Sequence, residues 1–157
     1  MKRTDVFTLA LAVTIALSLC GATASATTLT VGLGGGYDFE SIQSAMDHAS
    51  GHTILVHPGR YGPIEFDGRD MVVRSLDPTS PSIVAQTIIE GGITTVQFRG
   101  DESFRTRLAG FTIRGGWLGI SGYHERVIGP INHSRATIEH NVIESHRWDG
   151  GIRGCDG

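Results

Sequence analysis

Lysine is nearly absent from this chain. Lys2 is the single lysine in 157 residues, and every later basic side chain other than histidine is arginine. The formal charge is only −3, so there is no basic face of the kind a nucleic-acid partner requires. Aromatic residues are scarce at 7% while glycine reaches 22 residues, a balance that suits a turn-rich β protein and not a helical bundle. Cysteine is limited to Cys20 and Cys155, which excludes a disulfide-stapled scaffold. No apolar run is long enough for a comfortable membrane span; the longest, Val6 to Leu19, falls short.

That run has another reading. Met1-Lys-Arg3 precedes it and Ala24-Ser-Ala26 follows, so residues 1–26 have the charged start, apolar centre and small-residue cleavage site of a secretory signal. The bulky Leu19 before Cys20 argues against a lipoprotein site. Cleavage would remove Lys2, Arg3 and Asp5, leaving the mature chain one charge more negative. It would also leave Cys155 alone, as a free thiol or one with a partner elsewhere. A secreted, periplasmic or cell-surface location is expected, with no stable membrane span after cleavage.

What is present is a repeat. Leu108-Ala-Gly-Phe-Thr-Ile-Arg114 returns, blurred, as Ile138-Glu-His-Asn-Val-Ile-Glu144. Leu108 answers to Ile138, Phe111 to Asn141, Ile113 to Ile143 and Arg114 to Glu144, at one offset of about 30 residues, within the range of solenoid repeats. The pairs Gly119-Ile120 and Gly151-Ile152 follow two residues out of step. Short alternating strands with glycine turns at such a period predict a coiled β solenoid, with function confined to outward side chains and loops.

The rest of the chain agrees. Thr28–Val31 reads as a first strand, and the glycines of 32–36 lack the Lys-Ser/Thr that would make them a phosphate loop. Residues 38–49 read as an amphipathic helix, with Asp38 as N-cap and Phe39, Ile42, Met46 and Ala49 on one face, suited to plug the open end of a stack. Short strands follow around Ile54–Val56, Ile64–Phe66, Met71–Arg74, Thr87–Ile89 and Val96–Phe98, with a loop at Asp77–Pro81 and no further helix. Coils of about 22–30 residues result. Residues 121–135 exceed what a coil needs and read as a projecting loop. The last residues, Gly150-Gly-Ile-Arg-Gly-Cys-Asp-Gly157, start another coil without a polar cap, so the domain over 27–157 is expected to be the N-terminal part of a longer protein.

The runs Asp38-Phe-Glu-Ser-Ile-Gln-Ser-Ala45, His52-Thr-Ile-Leu-Val-His-Pro-Gly-Arg-Tyr61 and Gly110-Phe-Thr-Ile113 resemble the right-handed parallel β-helix proteins of the pectin-lyase-like superfamily. The likeness is to bacterial exported β-helix proteins and, in its first third, to pectin methylesterases. It implies an all-β right-handed parallel β-helix with a short N-terminal capping α-helix, facing polysaccharide. It implies no catalytic residue here: Gly59 and Tyr61 match an esterase Gly-x-Tyr-x-Glu motif, but Pro63 stands where Glu belongs. The Gln-containing esterase motifs and the clustered Asp of calcium-binding lyases are likewise missing.

Candidate residues each carry two readings. Arg114 and Glu144 fall one coil apart, about 4.8 Å in a parallel stack. They form either a uronate-binding or acid/base pair, or a surface salt bridge worth roughly 0–1 kcal/mol. Trp117, Tyr123 and Trp148 lie beside turns, where their rings either stack on sugar or pack beneath a loop. Asn141 is expected to satisfy backbone groups at a turn. His124, His133, His140 and His146, with Glu125, Glu139 and Asp149, show no spacing that puts a metal-binding pair on one strand face, so neither metal nor cofactor is expected. The expectation is thus an exported β-helix module that meets polysaccharide through Arg114, Trp117, Tyr123, Glu144 and Trp148. Two alternatives stand beside it: a lyase or pectinesterase-like enzyme whose catalytic coils lie beyond residue 157, and a structural or adhesive solenoid. The catalytic residues, the sugar and the oligomeric state are left open.

Overall fold

The computed structural model describes residues 27–48, 51–99, 102–122, 134–144 and 152–153. The signal segment, Tyr123, Trp148, Cys155, three of the four clustered histidines and most of the expected loop lie outside them. The first strands are β1 (Thr28–Val31), β2 (Thr53–Val56), β3 (Gly59–Tyr61) and β4 (Ile64–Glu65). The next circuit holds β5 (Val72–Ser75), β6 (Thr87–Glu90) and β7 (Thr94–Gln97). Then come β8 (Arg107–Ala109), β9 (Thr112–Arg114) and β10 (Leu118–Ser121), and finally β11 (Thr137–Glu139), β12 (Val142–Glu144) and β13 (Ile152–Arg153).

These strands make three sheets, β1-β2-β5-β8-β11, β3-β6-β9-β12 and β4-β7-β10-β13. From β2 onward the chain visits the first, second and third sheet in turn, then starts again. Every ladder among the described strands is parallel. Parallel strands need a long connection between neighbours, and here two other strands supply it. The circuits are unequal: register runs from Thr53 to Val72, then to Arg107, then to Thr137. The repeat read from sequence is the last of these steps. Leu108 pairs with Ile138, Ile113 with Ile143 and Arg114 with Glu144, and Ile120 pairs with Ile152 at the shifted spacing.

The period-2 alternation of each strand sends one set of side chains into the space between the sheets. Ile54, Val73 and Leu108 form one column, Tyr61, Ile89 and Ile113 a second, and Ile64, Val96 and Ile120 a third, all buried. Ile138 and Ile143 pack partly buried against them. Phe66 stacks on Phe98 with ring centroids 4.4 Å apart. Each such aliphatic or aromatic side chain contributes about 1.5–3 kcal/mol by leaving water.

The corner between the first and second sheets repeats too. Gly110 follows β8 with φ of 82°, and His140 follows β11 with φ of 55°. A Cβ at Gly110 would lie 2.2 Å from Ser75 Oγ and 2.6 Å from Pro78 Cα, so glycine is required there by space as well as by backbone. Beyond His140, the Asn141 amide accepts from Phe111 N–H and donates to Leu108 C=O, both at 2.9 Å. Asn141 thus serves the backbone of the preceding circuit, as its position in the repeat suggested.

Three expectations need correction. The first helix, α1, spans Ile42–His48 and starts later than residue 38. Asp38 does not cap it; its carboxylate accepts from Thr30 N–H at 2.8 Å and Thr30 Oγ1 at 2.7 Å, fastening the glycine turn to β1. Ser41 Oγ faces Ser44 N–H at the helix start instead. A second helix, α2 (Pro81–Gln86), follows the expected loop, where no further helix was expected. Ser121 ends β10 and does not begin the projecting loop.

α1 buries Ile42, Ala45 and Met46 in the core, packing on β1, β2 and β4. β4 is an edge strand, and Glu65 turns its N–H and C=O outward. The Gln43 side chain meets both, accepting from Glu65 N–H at 2.7 Å and donating to Glu65 C=O at 3.2 Å. One amide side chain therefore does for this edge what a neighbouring peptide would do. Arg69 donates to Met46 C=O at 2.9 Å and pairs with Asp47, tying off the helix C-terminus. Among the described residues no helix is long and apolar enough to cross a membrane.

Candidate functional site

The second sheet carries an ordered set of charges on its outer face. Glu90, Arg114 and Glu144 are register neighbours on β6, β9 and β12. Arg60, on β3, donates from Nη1 to both oxygens of Glu90 at 3.1 Å. Arg114 Nε donates to Glu90 Oε2 at 3.1 Å, and Arg114 Nη1 stands 3.8 Å from Glu144 Oε1. The result is an alternating column, Arg60–Glu90–Arg114–Glu144. The Arg60 hydrogen bond, above all, holds the Glu90 carboxyl below its ordinary range, helped by Arg114 and opposed by partial desolvation. Glu90 is therefore an ionised acceptor and not a proton donor near neutral pH.

α2 makes this face concave. Asp77 Oδ1 accepts from Thr79 N–H at 3.0 Å and Thr79 Oγ1 at 2.7 Å, closing a turn, and Pro81 then occupies the first helical turn, where a missing N–H costs nothing. Val84 is buried, and Val84 C=O accepts from Thr112 Oγ1 at 3.0 Å, which clamps the helix onto β9. Between α2 and strands β9 and β12 lies a groove of about 480 Å³, within the usual size of a small-ligand site. Its floor holds Thr112, Arg114, Val142 and Glu144; its walls are Pro78, Pro81, Val84 and Ala85, with His140 and Asn141 at the corner.

The structure thus brings two of the sequence-selected residues, Arg114 and Glu144, into one groove. Trp117 lies elsewhere, at the corner between the second and third sheets, 44% exposed beside Ile93, whose carbonyl accepts from Trp117 N–H at 3.0 Å. Tyr123 and Trp148 lie outside the described residues. The prolines and Val84 that complete the groove were missed from sequence; Pro81, as a helix-starting residue, was the available signal.

A second depression, about 490 Å³, runs beside the third sheet and is lined by Gln43, Asp47, Glu65, Asp67, Arg69 and Gln97. Its carboxylates are engaged by arginine: Arg99 pairs with Glu65 and with Asp67, and Arg69 with Asp47 at 3.0 Å. No three His, Cys, Asp or Glu side chains converge as a metal site among the described residues. No family model, curated protein or solved structure matches the chain.

Proposed function

We propose that this chain is an exported right-handed parallel β-helix of the pectin-lyase-like type, and that the groove on its second sheet meets polysaccharide. The order of sheets supports the β-helix reading, and the strong preference of parallel crossovers for one hand supports the right-handed form. The N-terminal residues 1–26 support export. The observation that carries the functional part is the groove itself: a concave face walled by prolines and aliphatic side chains, with a charged donor and a charged acceptor on its floor. Sugars offer apolar ring faces and hydroxyl edges, which such a surface complements.

The rival is a structural solenoid. It is favoured by the charge column, in which Arg60 and Arg114 both bond Glu90 and Arg114 lies 3.8 Å from Glu144, so that the charges offset one another without any ligand. Binding of the full chain to an array of immobilised plant, algal and bacterial glycans decides between them. The expected result is retention on at least one polymer, weakened about tenfold by Arg114→Ala. Trp117→Ala is expected to weaken it by a few-fold if the chain of sugars extends past the corner. Retention unchanged in Arg114→Ala, with the fold intact by circular dichroism, would remove the groove from the role. No retention on any glycan would favour the structural solenoid.

A further inference from the structure

The arrangement of charge in the groove selects among polysaccharides. Arg114 is not an open anion receptor. Its Nε is already bonded to Glu90 Oε2 at 3.1 Å, and its Nη1 faces Glu144 Oε1 at 3.8 Å. That last separation is too long for a hydrogen bond. It leaves a donor and an acceptor side by side and not joined to each other. A hydroxyl fits such a pair, because it accepts through its lone pairs while donating its proton. A carboxylate does not, since it accepts only and brings a negative charge towards Glu144 and Glu90.

The column's charge balance leads to the same point. Two arginines face two glutamates, so no net positive field remains to draw in an acidic polymer. Two further polar groups near the floor are occupied: Thr112 Oγ1 donates to Val84 C=O, and the Asn141 amide bonds Phe111 N–H and Leu108 C=O. Thr79, which bonds Asp77, and the exposed His140 also line the groove; the remaining lining is apolar, with Val142 48% exposed alongside Pro78 and Pro81. That surface matches the C–H face of a pyranose ring.

We infer that the groove takes an uncharged, hydroxyl-rich glycan and discriminates against uronates, with the Arg114–Glu144 pair reading a sugar hydroxyl. This inference rests on the polysaccharide reading above. Calorimetric titration of the full chain with a panel of neutral hexasaccharides and with hexagalacturonate, each at low and high salt, tests it. The expected result is that a neutral hexasaccharide binds with an affinity that changes less than about twofold with salt, because little net charge is paired. Hexagalacturonate should bind at least about tenfold more weakly, from the like charge of Glu144. Glu144→Gln is isosteric and keeps the fold. It should narrow that gap from the uronate side, while Glu144→Ala weakens the neutral ligand. Tighter, salt-sensitive binding of hexagalacturonate would overturn the inference and leave the polysaccharide reading standing. Failure of both classes of oligosaccharide would remove the polysaccharide reading, and this inference with it.

Discussion

Gly110 and His140 hold the same place in successive circuits, yet they differ in what they tolerate. Gly110 needs its missing Cβ, since Ser75 Oγ and Pro78 Cα occupy the space. His140 adopts φ of 55° with a side chain that points to solvent. A non-glycine residue in this region stores about 1 kcal/mol or more. Gly110→Ala should therefore destabilise by about 2–3 kcal/mol. His140→Gly should gain about 0.5 kcal/mol, relief of strain being partly offset by the entropy of a freer unfolded chain. Urea denaturation of the two variants measures this, and a destabilisation by His140→Gly as large as that by Gly110→Ala would overturn the reading of strain at His140. The residue-level repeat was readable because inward and outward positions alternate with period 2, so Ile113 and Ile143 could be matched by eye. Asn141 was readable for a related reason: a polar residue at an otherwise apolar repeat position needs a backbone partner. Asp38 was misread because capping and turn-fastening ask for the same side chain, and only the nearness of Thr30 separates them.

At the level of elements, α2 shows where the sequence falls silent. Six residues give less than two helical turns, too few for an apolar period, and Asp77-Pro78 and Pro81 mark a turn as well as they mark a helix start. Its position is fixed by Thr112 and by burial of Val84, contacts from other circuits that no local pattern reports. The groove depends on that packing, so Arg114 and Glu144 could be selected from sequence but not their apolar walls. The charge column was half legible: Arg114 and Glu144 followed from the repeat, whereas Glu90 and Arg60 came from circuits of different length. The column also makes a prediction. Because Glu90 titrates below its ordinary value of 4.5 when folded, its contribution is present at pH above that value. It is lost as pH falls through the depressed folded value. Glu90 is about a third exposed, so the effect should stay below about 1 kcal/mol. Glu90→Gln should lower stability at neutral pH by that amount and leave it unchanged well below the folded value, as read by thermal melts across the acid range. A constant difference at every pH would assign the loss to packing.

For the whole molecule, strand register is conserved while circuit length is not. The second circuit is lengthened by α2 without disturbing the pairing of Val73 with Leu108 or of Ile89 with Ile113. Corners can thus absorb additions that strands cannot, since a one-residue slip in a strand would turn its core residues outward. The Gln43 amide has a consequence of a different kind. Addition of strands to a parallel stack is a polymerisation, and it proceeds where a row of N–H and C=O groups stands open. With Glu65 already engaged by Gln43, the third sheet presents a blocked terminus at the α1 side, so the side chain works as a chain stopper. Gln43→Leu keeps the volume and the helix but removes both bonds. It should cost about 0.5–1.5 kcal/mol through the two lost hydrogen bonds, since Glu65 is only partly buried, and shorten the lag before thioflavin-positive aggregates form at moderate temperature. An unchanged lag despite the lower stability would place the nucleating end elsewhere. On this view one glutamine in a helix closes one of the three sheets to further strands at the α1 side.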